Sequence, residues 1–188
     1  MDLAARYNIP LKIPVEFRPY HMLELDQSAT KNKILPLSMV DINQEWLDWL
    51  ADQGMFFKYA RIFLAKPGAR YNLHVDIPTE QPNRIAKINY IFGGANSYMQ
   101  WFALKPGRFP YRYVDSHGDP VRGYMEIDCD MVHQEPISSP SLIDGGTIHT
   151  LVNPSHARCC FSIALSDKNT GRWIEFPEAA ERLQEFVI

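Results

Sequence analysis

The sequence predicts a mostly β protein, its antiparallel strands closed into a double-stranded β-helix of the jelly-roll kind. Two observations carry this. Seven short runs rich in β-branched and aromatic residues are each bounded by turn residues, and helical periodicity is confined to the two flanks of the chain. Consecutive strands with no helix between them cannot make parallel crossovers, so the sheets must be antiparallel and must stack or close.

In chain order, the first regular element is a helix over Ile42–Gln53. Asp41 caps it with Gln44 three residues on, Trp46, Leu47, Trp49 and Leu50 form its apolar side, and Gly54 ends it. The strands then run over Phe56–Ala65, Tyr71–Val75, Ile85–Phe92, Tyr98–Leu104, Arg122–Ile127, Ile148–Val152 and Arg158–Leu165. Pro67-Gly68, Gly93-Gly94, Pro106-Gly107, Asp144-Gly145-Gly146 and Asn153-Pro154 separate them. A closing helix opens at Pro177, the favoured first position. No repeat, low-complexity tract or linker divides the chain. The expectation is one domain over 1–188: an N-terminal flank of about 1–54, a β-barrel core of about 55–166 and a C-terminal helix of about 177–186.

Bulk composition narrows the function. Hydrophobic residues make up 46% and charged residues 22% of 188, an ordinary globular balance. A net charge of -3 leaves no basic footprint for nucleic acid or an anionic membrane surface, and no apolar stretch is long enough to cross a bilayer. The N-terminal MDLAARYNIPLKIP lacks the basic-then-apolar layout of a secretory signal. Cys129, Cys159 and Cys160 are three, and two are adjacent, which argues against a disulfide framework and for a reducing, cytoplasmic setting.

The chemistry concentrates in Tyr71-Asn-Leu-His74-Val-Asp76. Residues two apart on a strand share a face, so His74 and Asp76 can offer an imidazole nitrogen and a carboxylate oxygen to one ion. Of six histidines, His149 best completes the set, because it begins a strand just after the Asp144-Gly145-Gly146 turn. Two histidines and one carboxylate on one face of an octahedron leave the other face open, the geometry of non-haem Fe(II) oxygenases. Arg158 follows His149 by nine residues, on the strand that returns beside it. Its guanidinium can grip the far carboxylate of a dicarboxylic acid as a fork.

With these residues the chain resembles the Fe(II)- and 2-oxoglutarate-dependent oxygenases, and more narrowly their prolyl-hydroxylase-like branch. The resemblance runs from about Lys66 to Leu165, through Tyr71-x-x-His74-x-Asp76, then Asn83-Arg84-Ile85-Ala86-Lys87-Ile88-Asn89-Tyr90, then His149 with Arg158. It implies Fe(II) on His74, Asp76 and His149, and 2-oxoglutarate anchored by Arg158 with help from Tyr90 and Tyr71. It also implies O2 as the other co-substrate, ascorbate as an optional reductant, and hydroxylation of a protein or peptide side chain or an amino-acid-like substrate. The chain departs from that branch at Gly93-Gly94-Ala-Asn-Ser and in a longer interval before His149, around Lys105–Asp130. The aromatic segment Tyr98–Val114 is a candidate lid or substrate wall, with Arg112 and Tyr113 as substrate contacts. His21, His117, His133 and His156 are expected to be structural or exposed. Two other readings stand beside this one: a cupin-type metal enzyme that uses the triad without 2-oxoglutarate, and a non-catalytic jelly-roll binding module.

Overall fold

The computed structural model describes residues 6–19, 31–76, 84–114 and 120–188, so His21, Asn83 and His117 lie outside the described residues. The elements are β1 Asn8–Pro10, β2 Lys33–Leu37, α1 Gln44–Asp52, β3 Met55–Ala65, β4 Ala69–Arg70, β5 Leu73–Val75, β6 Ala86–Gly93 and β7 Tyr98–Leu104. They continue with β8 Tyr111–Val114, β9 Pro120–Tyr124, β10 Cys129–Pro136, β11 Ser141–Asp144, β12 Ile148–Asn153, β13 Arg158–Asp167 and α2 Phe176–Arg182. No helix of the described residues is long and apolar enough to cross a membrane.

Among the described residues two antiparallel sheets form, ordered β1-β11-β6-β13-β3-β2 and β10-β7-β12-β5-β9-β8, with β4 also on β12. The chain passes back and forth between the sheets from β3 onward. This interleaving places β13, last in sequence, between β3 and β6, and β12 between β7 and β5. The fold is a mostly β jelly roll, a double-stranded β-helix.

The two faces of the first sheet differ in chemistry. Cys159, Phe161, Ile163 and Leu165 on β13, and Ala86, Ile88 and Tyr90 on β6, join Trp46, Trp49, Leu50, Phe176 and Leu183 in the main apolar cluster. That is the outer face, covered by α1 and α2. The alternate positions point between the sheets. They include Lys87, Asn89, Arg158, Cys160, Ser162 and Ser141, all buried. All ten positions of β13 are buried because helices cover one face and the second sheet the other.

Two helix boundaries move. The cap of α1 is Asn43, in extended conformation, and not Asp41. The Asp41 carboxylate instead accepts a hydrogen bond from the Ser38 amide (2.9 Å) in a preceding 3-10 turn. The C-terminal helix stops at Arg182 and continues as a 3-10 turn over Gln184–Phe186.

Strands β10 and β11 fall where the sequence shows little alternation. Strand β10 is an exposed sheet edge over most of its length, so no apolar face marks it. Segment 98–114 is not a lid: β7 is an inner strand of the second sheet, and β8 is that sheet's edge.

Candidate metal centre

His74 on β5 and His149 on β12 are direct cross-strand partners, so both imidazoles rise from one row of the second sheet. Their ring centroids lie 4.6 Å apart. Asp76 follows just beyond β5, where its amide donates to Gly145 O (2.8 Å). Its Oδ1 lies 3.5 Å from His74 Nε2 and its Oδ2 3.5 Å from His149 Nε2. One ligand atom from each of the three falls within 4.8 Å of the others, compact enough to hold a metal ion.

The tautomers suit that use. His74 Nδ1 is 2.8 Å from Asn72 O and His149 Nδ1 is 2.7 Å from Thr147 O. A carbonyl only accepts, so each Nδ1 carries the proton and each Nε2 keeps its lone pair for the centre of the cluster.

The turn between β11 and β12 does most of the positioning. Asp144 is fully buried, and its carboxylate accepts from Gly146 N (2.9 Å), Thr147 N (3.2 Å), Thr147 Oγ1 (2.8 Å) and Arg84 Nε (2.6 Å). This fixes Thr147 O, which orients His149, and Gly145 O, which holds Asp76. A Cβ on Gly145 would come within 3.1 Å of Asp76 Oδ2, so the turn abuts the ligand itself. Asp144→Asn is expected to set an amide NH2 against the Arg84 Nε–H, donor against donor, and to remove the charge that this contact uses, costing about 1.5–3 kcal/mol. Metal affinity should fall about 10–100-fold. Thermal denaturation and Co(II) calorimetry check both.

Lys87, on β6, sends its ammonium to within 2.9 Å of Asp76 Oδ2. Burial disfavours the ammonium, but the Asp76 carboxylate and the Tyr59 hydroxyl outweigh it, so the lysine pKa is raised. Burial likewise opposes charge on Asp76. Lys87 and the two imidazoles reverse this and hold its carboxyl well below the usual range. For His74 burial is again the largest influence, yet hydrogen bonding and attraction from Asp76 leave the imidazole pKa raised. From sequence, Asp144 and Gly145 are read only as part of a turn, and Lys87 is given no part in the metal centre. The signal for Lys87 was a cation inside the apolar run Ile85–Phe92.

Arg158 opens β13, opposite Ala65 and Gly93 in register, and faces between the sheets. It is 3% exposed, and among the described residues no carboxylate lies within ion-pair distance of it. Its Nε is buried without a hydrogen-bond partner. Gly94, at φ +65°, packs against the arginine stem so closely that a Cβ there would lie 2.7 Å from Arg158 Cβ. The Tyr71 hydroxyl is likewise buried and unpartnered. Burial pushes Tyr71 up to about 12, and attraction by nearby Arg158 opposes the rise. Burial also raises the Cys160 thiol, which lies under the influence of Arg158, Lys87 and Asp76. The arginine end and the ligand cluster therefore share one interior.

Tyr90 does not join them. It has the opposite parity to Lys87 on β6, and its hydroxyl accepts a hydrogen bond from Trp46 Nε1 (2.7 Å) under α1, with Phe17 stacked 4.2 Å away. A sheet lies between it and the interior, which corrects its expected role as a carboxylate partner. Tyr90→Phe is expected to leave Trp46 Nε1 buried without an acceptor and cost about 1–3 kcal/mol. Any KM for a carboxylate co-substrate should stay unchanged, a pairing that denaturation and steady-state kinetics test together.

Arg112 and Tyr113, being adjacent on β8, face opposite ways. The row His149, His74, Gly123, Tyr111 crosses the sheet in register. Tyr111 and Tyr113 therefore share the metal-facing side and Arg112 the other. The Tyr111 phenol lies across Gly123, where a Cβ would meet its Cζ at 2.4 Å. His133 stacks on Tyr7 and Trp101, and His156 hydrogen-bonds Ser155, both away from the cluster.

No protein-family profile matches the chain, and no curated protein matches it either. Among solved structures it is similar to an oxalate oxidase in complex with the substrate analogue glycolate, at 13% identity and TM-score 0.35. That match covers 78% of this chain and 56% of the oxidase, so the chain spans little more than half of that protein's length. It is also similar to a Pseudomonas putida prolyl-4-hydroxylase, at 13% identity and TM-score 0.39, over 85% of this chain and 77% of that one.

Proposed function

We propose that the chain is a non-haem iron enzyme that uses 2-oxoglutarate, hydroxylating a protein or peptide side chain or an amino-acid-like substrate. The observation that carries this reading is Arg158. It is a buried guanidinium with an unpartnered Nε, beside the unpartnered Tyr71 hydroxyl and in the same interior as the His74, Asp76 and His149 cluster. Buried polar atoms are seldom left unpaired, and a guanidinium with no internal anion fits an anionic ligand from outside.

On this reading His74, Asp76 and His149 hold Fe(II), while Arg158 and Tyr71 hold the carboxylate of 2-oxoglutarate remote from the metal. Bound iron, with its co-substrate and O2, supplies the power to oxidise a C–H bond. The chain's own residues bind, orient and exclude water. The backbone carbonyls of Asn72 and Thr147 hold the two Nδ1 protons, which aims both Nε2 atoms inward. Asp76 stays ionised across the physiological range. Trp101 and Ile143 close the interior on the β7 and β11 sides, which strengthens every charge interaction within it. Tyr111 and Tyr113 furnish an aromatic wall on the metal-facing side of the sheet for the molecule to be oxidised.

Anaerobic titration with Fe(II) and 2-oxoglutarate tests the reading. A visible charge-transfer band, and succinate formation once O2 is admitted, are expected. Metal uptake with no band and no succinate would overturn it in favour of a metal enzyme that does without the keto acid. Failure to take up metal, with thermal stability unmoved by Fe(II), would leave a binding module.

A further inference from the structure

Within the interior, among the described residues, one carboxylate stands against two cations. Among the described residues Asp76 is the carboxylate within ion-pair distance of Lys87, and Arg158 has none. Among the described residues the two cations facing this interior, Lys87 and Arg158, outnumber its one carboxylate before a metal enters. A divalent ion there must share Asp76 with an ammonium 2.9 Å from Oδ2. Both side chains are buried or nearly so, and charge repulsion over a few ångströms is far stronger here than in water. Lys87 cannot easily swing clear, since its side chain is 4% exposed, lies beside the Tyr59 ring (5.6 Å) and packs against Gly145. Metal alone is therefore disfavoured, and a dianion arriving with it cancels the charge that the metal adds.

We infer that Lys87 couples metal loading to the binding of an anionic co-ligand, so that the ion and a dicarboxylate bind cooperatively. The inference rests on the 2-oxoglutarate reading above for the identity of that anion. Lys87 acts as a positioning and charge-setting residue. It holds Asp76 Oδ2, leaves Oδ1 for the metal, and makes a site that fills as a pair and resists filling by metal alone. Linkage then requires that the metal raise dicarboxylate affinity by the same factor.

The test is calorimetric titration of the full chain with Co(II), which does not need protection from O2, with and without saturating 2-oxoglutarate. The wild-type protein is expected to bind Co(II) at least about tenfold more tightly when the dicarboxylate is present. Lys87→Met keeps the stem and removes the charge. It should bind Co(II) alone several-fold more tightly than wild type and show a weaker coupling, the remainder coming from direct contact of the co-substrate with the ion. Lys87→Arg keeps the charge and should keep the coupling, which separates charge from packing. Thermal denaturation of each variant confirms folding, and Lys87→Gln replaces the methionine variant if that one fails to fold. Bare Co(II) affinity that is unchanged or weaker in Lys87→Met overturns the inference, as does undiminished coupling. Absence of any 2-oxoglutarate effect or heat in Co(II)-loaded wild type overturns the co-substrate reading itself, a distinct result.

Discussion

Asp76→Ala is expected to lower metal affinity at least about 100-fold and to abolish turnover. It removes the anion of a three-ligand set, and loss of an oriented contact one step further out already costs 10–100-fold. A second effect comes with it. Lys87 remains in the interior without its counter-charge, and breaking a buried pair from one side costs about 3–5 kcal/mol. Asp76 retains some solvent contact (19% side-chain exposure), so the lower end, about 3 kcal/mol, is the expectation. Asp76→Ala with Lys87→Met removes both charges and should regain most of that stability while staying metal-free. The double-mutant comparison separates a folding defect from a missing ligand. Elemental analysis and thermal denaturation read the two effects. An Asp76→Ala protein that still carries stoichiometric metal would sink the assignment.

Arg158→Met is expected to raise the KM for 2-oxoglutarate about 100-fold. Losing a forked, charge-assisted contact is worth about 3 kcal/mol, and every 1.4 kcal/mol is tenfold. The variant should be no less stable than wild type without ligand, because a buried guanidinium with an orphaned Nε has given way to an apolar chain of similar length. Co(II) binding without 2-oxoglutarate should not weaken. Arg158→Lys should recover only part of the KM, since an ammonium cannot make the fork. An unchanged KM in Arg158→Met would remove the observation on which the 2-oxoglutarate reading stands.

Much of the site was legible from short-range pattern. His74 and Asp76 stand two apart at the end of a strand, and a period of two fixes that they can share a face. Arg158 sits where a strand starts after the Asn153-Pro154 turn, observed as β13. That strand does not return beside β12 as expected: it crosses to the other sheet and pairs with β3 and β6. The error over Tyr90 came from the same pattern left unused. Strand β6 is buried on both faces, so hydrophobicity does not say which way its side chains point. Lys87 and Asn89 do, because polar residues alternate toward the ligand interior, and Tyr90 has the other parity. Arg112 falls to the same test, because Tyr113 takes the metal-facing side and its neighbour on the strand must face away. Strand β10, an exposed edge, offers no apolar alternation to read. The Asp144–Thr147 turn offers only common turn residues, whose partners Arg84 and His149 are not visible in its local sequence.

By itself the sequence determined the periodicity of the strands, the apolar side of α1 and the residue types that could meet at a metal. Tertiary structure alone decided that β5 and β12, more than 70 residues apart, lie side by side in the register that sets His74 against His149. It also decided that Lys87 crosses from the other sheet to Asp76. The physical reason is range. Backbone propensity and side-chain alternation act over a few residues, whereas register across a sheet is set by how the whole barrel closes and buries its two faces at once.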